Sequence, residues 1–261
     1  MSKPILPYPG GKSRVAPIIA KLLPPHKVFI EPFLGAGSVF FEKPLAKKNV
    51  LSDLNKSVFE VHRAVKAKGC AVLTSCAAAR KPTHELSWKA VKKAEKESAG
   101  ACETFVASKS SRNSNFSFPS ASVNTFNQKI HGEAVKPKQG CAESAAKLKR
   151  ALVLNQDFRT VLKKYDSKDA AIYMDPPYGK LRLYKHDGVT PEQVCQAAKT
   201  AKGKVLISYS NTPGIRKACK GLHFMKLPFN YTSRSIVKGT KSGKNRVNEL
   251  LIANYKLPKV K

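Results

Sequence analysis

The first third of the chain alternates short apolar segments with segments of helical spacing, and this alternation restricts the fold more than any other feature. Residues 27–31 and 49–53 have the length and composition of buried strands, and a helical pattern follows each of them, over 33–45 and 55–66. Strands that alternate with helices favour a parallel sheet, because parallel neighbours need a crossover connection.

The alternation returns in the second half of the chain. We expect helices over 142–150 and 190–201, and strands over 151–155, 170–174, 204–208, 222–227 and 249–255. Between the halves, the periodicity fades apart from a short charged helix at 89–97, and the stretch KSSRNSNFSFPSASVNTFN is typical of loops. The sequence therefore predicts an α/β domain made of 1–69 and 141–261, with 70–140 as an insertion that has its own role.

The net charge of the chain is +31, from 48 Lys and Arg against 17 Asp and Glu. Such an excess attracts polyanions, so nucleic acid is the first candidate partner and an anionic membrane surface the second. Solubility alone is a third explanation. Lys outnumbers Arg by 38 to 10, and Lys supplies point charges for phosphates whereas Arg reads guanine edges. The balance favours attraction to a nucleic-acid backbone.

Cysteine spacing and apolar runs exclude several classes of protein. None of the six cysteines forms a C-x-x-C pair, so neither a zinc ribbon nor a redox dithiol is indicated, and a reducing cytosolic compartment is the simplest expectation. The longest apolar runs, such as 151–154, are too short to span a bilayer. The first residues lack the apolar stretch of a signal peptide.

The strand at 170–174 runs directly into Asp175, Pro176, Pro177 and Tyr178. The carboxyl edge of a parallel sheet is where ligands bind in open α/β folds. The two prolines fix the backbone and remove N–H donors that would compete for its carbonyls. A carboxylate, a free carbonyl and an aromatic face can together hold a planar exocyclic amine and stack on its ring. The alternative is a strand that the prolines merely end, with the aspartate as a helix cap.

Two further strand ends suit a nucleotide-like ligand. Gly35 and Gly37 follow the first strand and let a ligand approach the backbone, although a tight strand–helix turn explains them equally well. Asp53 ends the next strand, where its carboxylate can accept hydrogen bonds from ribose hydroxyls. Asp157 and Phe158 follow a later strand and could hold an adenine, although such a pair more often only ends a strand.

The glycine-lysine turn in YPGGKS has a superficial similarity to a phosphate-binding P-loop. The Walker pattern requires a glycine five positions before Gly11, and position 6 is leucine. We therefore exclude P-loop NTPase chemistry, and the neighbourhood of a cofactor carboxylate is an alternative use for this turn.

The motifs YPGGK, FIEPFLGAGSVF, LSDLN, NQDF and DPPY, in this order, resemble those of the Dam-type (class alpha) adenine-N6 DNA methyltransferases. The last segment, with RSI at 234–236 and KNRVNELLI at 244–252, is also similar. The resemblance spans nearly the whole chain and is weakest over 70–110. It implies a Rossmann-like S-adenosylmethionine-dependent methyltransferase fold, with a mostly parallel seven-stranded sheet, helices on both faces and a target-recognition domain inserted at 70–140.

The resemblance also implies the roles of individual residues. It matches the catalytic tetrad with Asp175, Pro176, Pro177 and Tyr178. The residues that stand at the family's S-adenosylmethionine-binding positions are Tyr8, Gly11, Lys12, Glu31, Pro32, Phe33, Gly35, Gly37, Ser38, Asp53, Asp157 and Phe158. It places at DNA-facing positions Arg112, Asn113, Asn115, Phe116, Arg234 and Lys244.

The implied reaction is transfer of a methyl group from S-adenosylmethionine to N6 of a flipped-out adenine in double-stranded DNA, with GATC as the family's familiar target. The aspartate at 175 favours adenine, because cytosine-N4 enzymes often carry serine there. A cytosine-N4 enzyme, an RNA adenine methyltransferase and a catalytically silent DNA-binding relative remain alternatives. We expect no metal and no membrane contact, a monomer in solution or a dimer on DNA, and a location in the cytoplasm near the nucleoid, or inside a host cell if the source is viral.

Overall fold

A computed structural model of the chain describes residues 2–8, 10–73, 100–110, 140–177, 188–232 and 246–258. Their helices are α1 Ala16–Leu22, α2 Ser38–Glu42, α3 Lys56–Lys68, α4 Ala101–Ser110, α5 Cys141–Lys149, α6 Phe158–Tyr165, α7 Pro191–Thr200 and α8 Pro213–Ala218. Their strands are β1 Val28–Glu31, β2 Lys48–Ser52, β3 Leu152–Leu154, β4 Ala170–Met174, β5 Lys204–Ser210, β6 His223–Thr232 and β7 Arg246–Ala253.

The seven strands form one sheet in the order β3-β2-β1-β4-β5-β7-β6. The first five are parallel, and β7 lies antiparallel between β5 and β6. The predicted α/β class, with a mostly parallel seven-stranded sheet, is confirmed. The strand order reverses between β1 and β4, and this topological switch point is where open α/β sheets form a crevice beyond the carboxyl ends of their strands.

Helices cover both faces of the sheet. Alternate strand residues point to opposite sides, so Phe29 of β1 belongs to one apolar core and Ile30 belongs to the other. Helices α1, α2, α3 and α5 pack on the first face, and α6, α7 and α8 pack on the second. Burial on both faces explains why the central strands are almost wholly apolar. None of the helices within the described ranges has the length and apolar content needed to cross a membrane.

The predicted helix over 33–45 is wrong at both ends. Gly35 and Gly37 adopt φ angles of 46° and 66°, so the chain makes a turn before α2 begins at Ser38. The helix ends at Glu42, and Lys43 is extended in front of Pro44, as residues before proline tend to be. Helices α1, α6 and α8 were not predicted, because each has eight residues or fewer and gives little periodic signal.

Most of the predicted insertion lies outside the described residues. Within it, α4 ends at Ser110, so it covers the first residues of the segment that was expected to be loop. The helix predicted at 89–97 also lies outside the described ranges. The role of 70–140 as a separate recognition domain therefore remains a prediction.

Two disulfide bonds have both partners in the described part of the chain, and each joins a helix residue, Cys141 of α5 or Cys195 of α7, to a residue just beyond the end of another helix. Cys70 is bonded to Cys141, and Cys195 to Cys219, with Cα–Cα distances of 6.1 and 5.1 Å. The partners are 71 and 24 residues apart, so the short-range spacing that reveals a C-x-x-C motif gave no indication of them. The Cys70–Cys141 bond joins the two ends of the predicted insertion.

Candidate active site at the carboxyl ends of β1 and β4

A cavity of about 150 Å³ opens at the switch point of the sheet. It brings together four motifs that are far apart in sequence: the YPGGK turn, the glycine turn after β1, the acid after β2 and the Asp-Pro-Pro segment after β4. The sequence-predicted residues that line it are Tyr8, Gly11, Lys12, Glu31, Phe33, Gly35, Gly37, Ser38, Asp53, Asp175, Pro176 and Pro177.

The glycine turn is held in place by hydrogen bonds at both sides of Gly35. Its N–H donates to Asp53 Oδ2 at 2.7 Å, and its carbonyl accepts from His62 Nε2 at 2.9 Å. The other oxygen of Asp53 accepts the Asn55 N–H at 2.9 Å, at the start of α3. A Cβ atom on Gly35 would lie 3.0 Å from Cδ1 of Tyr8. The turn therefore requires glycine both for its positive φ and for the approach of the Tyr8 ring.

His62 belongs to the site although no motif indicates it, because in the sequence it stands among the apolar positions Val58, Val61 and Val65 of α3. Burial lowers the pKa of its imidazole to about 4, and the hydrogen bond to Gly35 opposes that shift only in part. The ring is therefore neutral near pH 7 and donates from Nε2 to the Gly35 carbonyl. Its Nδ1 has no hydrogen-bond partner within the described part of the chain.

Glu31 ends β1 with a side chain that is almost fully buried against the cavity. Its Oε2 accepts the N–H of Phe40, in the first turn of α2, at 3.1 Å. Burial raises the pKa of Glu31 well above its usual range. The Phe40 hydrogen bond opposes this rise, whereas the nearby charge of Asp175 adds to it. A positive charge placed in the cavity would therefore favour ionisation of Glu31.

Asp175 follows β4 and presents a carboxylate that is 19% exposed. Lys12 Nζ lies 2.8 Å from Oδ1 and 2.9 Å from Oδ2, and the Ser208 hydroxyl donates to Oδ1 at 2.7 Å. Tyr173 lies 2.9 Å from Ser208, and it donates, because Ser208 uses its proton on Asp175. Burial raises the pKa of Tyr173 well above its usual range and keeps that donor protonated. The orientation of the Asp175 carboxylate is thus fixed from two directions.

Lys12 also contacts groups that do not belong to the predicted motifs. Its ammonium donates to the Gly10 carbonyl at 3.0 Å and lies 3.2 Å from Oε1 of Glu249 in β7. Lys12 and Glu249 are only 4% and 3% exposed. The site therefore contains a buried cation flanked by two carboxylates.

Sequence reasoning missed Ser208 and Glu249, although each carries a detectable signal. Each is a polar residue within an apolar strand, in LISYS and NELLIA. A buried polar group needs a hydrogen-bonding or charged partner. From this rule we could have inferred that Ser208 and Glu249 each contact another polar group, although not which group.

Three predicted cofactor residues do not line the cavity. Asp157 caps α6, and its carboxylate accepts the N–H and the guanidinium of Arg159, hydrogen bonds that lower the pKa of Asp157. Phe158 is buried behind Phe33, with ring centroids 5.2 Å apart. Pro32 is buried beside the glycine turn. The adenine contact of Asp157 and Phe158 remains a prediction.

The other predicted positions lie outside the described residues. They are Tyr178 of the tetrad and the candidate DNA contacts Arg112, Asn113, Asn115, Phe116, Arg234 and Lys244. In the ranges that the structure does cover, no three His, Cys, Asp or Glu side chains are grouped so that they could hold a metal ion.

Comparison with known proteins identifies one family. The D12 class of N6 adenine-specific DNA methyltransferases matches the chain over residues 8–138 and 109–233. The chain is 25% identical over 283 residues to the type II methyltransferase M1.LlaDCHI of Lactococcus lactis subsp. cremoris, covering 97% of this chain and 95% of that protein. It is 24% identical over 273 residues to the DNA adenine methylase of Vibrio cholerae, with 94% of each chain covered. A 73-residue segment is 36% identical to the type II methyltransferase M.MjaIII of Methanocaldococcus jannaschii, covering 24% of this chain and 25% of that protein.

Proposed function

The chain belongs to the D12 class of N6 adenine-specific DNA methyltransferases, and we propose that it transfers a methyl group from S-adenosylmethionine to N6 of an adenine in duplex DNA. The observation that carries this proposal is the position of Asp175. Its carboxylate is oriented by Lys12 and Ser208 in the wall of the same cavity that contains the glycine turn and Asp53.

The residues around the cavity fit S-adenosylmethionine. The turn at Gly35 and Gly37 leaves bare backbone where a side chain would enter space already filled by Tyr8 and Phe41. Asp53 lines the cavity and accepts the N–H groups of Gly35 and Asn55, and a carboxylate at this position suits ribose hydroxyls. Glu31 and Asp175 supply carboxylates for a cationic ligand. When bound, the cofactor supplies an electrophilic methyl group.

In this proposal Asp175 positions the amine that receives the methyl group. The target adenine must first leave the base stack, because its N6 cannot reach the cavity inside a duplex. Asp175 accepts a hydrogen bond from one N–H of N6, and the Pro176 carbonyl accepts one from the other. Tyr178 stacks on the base. The new C–N bond would form as the bond between sulfur and the methyl group breaks, and S-adenosylhomocysteine would be the leaving group. N6 would then lose one proton, which Asp175 would accept and pass to water. Orientation of the amine accounts for much of the acceleration, and no covalent bond to the protein is required.

The net charge of +31 supports DNA as the substrate, because a strongly basic protein is attracted to the phosphates of a nucleic acid. Neutralising about 6–10 phosphates makes DNA affinity fall by roughly 10³–10⁵ between low and moderate salt. We propose that the recognition contacts come from 70–140 and from the segment around Arg234 and Lys244, with GATC as the first candidate target.

Nucleoside mass analysis tests the function directly. The protein is incubated with S-adenosylmethionine and two unmethylated duplexes that differ only in whether they contain GATC, and the DNA is then digested. N6-methyladenine in either duplex supports the reaction, and its restriction to the GATC duplex supports the target. N4-methylcytosine, or no modified base despite cofactor binding, would contradict the proposal. Asp175→Ala is the control that must remove the product.

A further inference from the structure

We propose that Glu249 is a positioning residue for methyl transfer, whose charge offsets that of Lys12 and leaves Asp175 able to attract a cationic centre in the cavity. This inference rests on the proposed function of Asp175. Glu249 does not line the cavity, so its effect on the reacting atoms passes through Lys12.

The geometry places Glu249 behind Lys12 as seen from Asp175. Glu249 lies on β7, in register with Ser210 of β5, and its carboxylate is 3.2 Å from Lys12 Nζ. Lys12 is in turn within 2.9 Å of both carboxylate oxygens of Asp175. With Lys12 and Glu249 almost fully buried, little solvent screens these charges from one another.

The charges of the three groups explain why a third member is needed. A buried Lys12–Asp175 pair alone would be neutral, and Lys12 would repel the positive charge that moves from sulfur to N6 as the methyl group is transferred. The Glu249 carboxylate gives the cluster one net negative charge. The cluster then favours both a cationic ligand and an amine that is becoming positive.

The other titratable groups near Asp175 do not replace this charge. Burial raises the pKa of Glu31, Tyr173 and Tyr209, and the negative charge of Asp175 raises each of them further. Their neutral forms are therefore favoured before a cation enters the cavity, so none of the three supplies the negative charge that first attracts it. Glu249 differs from these groups in its ion pair with Lys12, at 3.2 Å.

Ligand discrimination by Glu249→Gln tests the charge directly. Glutamine keeps an oxygen for Lys12 at nearly the same position and removes the negative charge. We would measure by calorimetry the affinities for S-adenosylmethionine, which carries a sulfonium, and S-adenosylhomocysteine, which has a neutral sulfur. The preference for the cationic ligand should fall on the order of tenfold in Glu249→Gln. It should not change in Glu60→Gln, which removes a surface carboxylate paired with Arg63.

Single-turnover methylation with saturating cofactor and DNA supplies the second readout. Glu249→Gln should slow methyl transfer on the order of tenfold, whereas in a Lys12→Met background the same change should cause no further loss, because the charge to be offset is gone. An unchanged ligand preference, or an equal loss of affinity for both ligands, overturns the proposal and leaves Glu249 a structural residue. If the wild-type protein makes no N6-methyladenine, the proposed function fails, and the ligand preference still decides whether Glu249 sets the charge of the cavity.

Discussion

Replacement of Gly35 by alanine tests whether the glycine turn is shaped for a ligand or only for the chain. The added methyl group would meet Tyr8, at 3.0 Å from Cδ1 and 3.3 Å from Cε1. The backbone cannot easily rotate away, because the Gly35 N–H is bonded to Asp53 and the carbonyl to His62. The Tyr8 ring must therefore move, and it lines the cavity.

The structure gives the size of two separate effects. An L-residue in the left-handed region, where Gly35 has a φ of 46°, costs about 1–2 kcal/mol of folding free energy. Displacing a packed ring costs about 1–3 kcal/mol. If the bound cofactor requires the ring in its original place, this second cost appears in binding. Since 1.4 kcal/mol corresponds to a tenfold change in affinity, the affinity should fall about 5- to 140-fold.

Gly221→Ala is the matched control, since Gly221 has a φ of 92° and no atom of the described residues lies within 4 Å of an added Cβ. Gly221→Ala should lose about 1–2 kcal/mol of unfolding free energy in urea titrations, and Gly35→Ala should lose this and up to about 3 kcal/mol more from the displaced Tyr8 ring. Only Gly35→Ala should lose affinity for S-adenosylmethionine in calorimetry. Equal affinity in the two variants would refute the argument that the turn and Tyr8 together shape the cofactor site.

Three other predictions concern the site and its support. Asp175→Ala should reduce methylation on the order of 10²–10⁴-fold while cofactor affinity changes only a few-fold; loss of cofactor binding in calorimetry would contradict the role given to Asp175. Because burial lowers the pKa of His62 to about 4, the unfolded chain binds its proton first, and stability should fall by about 3 kcal/mol as the pH drops from 6.5 to 4. Urea titrations at several pH values across this range should show that the unfolding free energy of His62→Gln depends less steeply on pH than that of the wild type. Cys141→Ser, which removes the bond to Cys70, should lower the unfolding free energy by about 2–4 kcal/mol in non-reducing buffer, and a denaturation curve identical to that of the wild type would show that the bond contributes nothing.

The sheet could be predicted from sequence because its central strands are buried on both faces. β4 is the clearest case, since all five of its residues are buried and its predicted bounds match those observed. The helix after β1 was predicted too long, because FLGAGSVFF has the apolar spacing of a helix. The apolar spacing contains no information about backbone angles, so it could not show that Gly35 and Gly37 have positive φ angles. Periodicity detects burial, whereas such a turn depends on backbone conformation.

The candidate site was predicted where motifs follow strand ends and missed where partners come from another strand. Asp53 and Asp175 were predicted and line one cavity. Ser208 was missed because its partners, Tyr173 and Asp175, lie on and directly after the neighbouring strand β4. Glu249 was missed because its place near Lys12 depends on β7 lying beside β5, an antiparallel pairing that no local pattern specifies. Asp157 shows that a motif can also indicate more than the structure places at the cavity. The resemblance matches this residue to the cofactor, but its carboxylate caps α6.

The position of β7 in the sheet has a consequence for the order in which the enzyme is made. Lys12 precedes every strand, whereas Glu249 belongs to the last described strand, which inserts between β5 and β6. During translation, the YPGGK, glycine and Asp-Pro-Pro motifs all leave the ribosome before β7 does. A nascent chain that has reached only β6 has an unpaired edge on β5 and a Lys12–Asp175 pair without its second carboxylate. The candidate site therefore acquires the Glu249 carboxylate only after β7 has been synthesised.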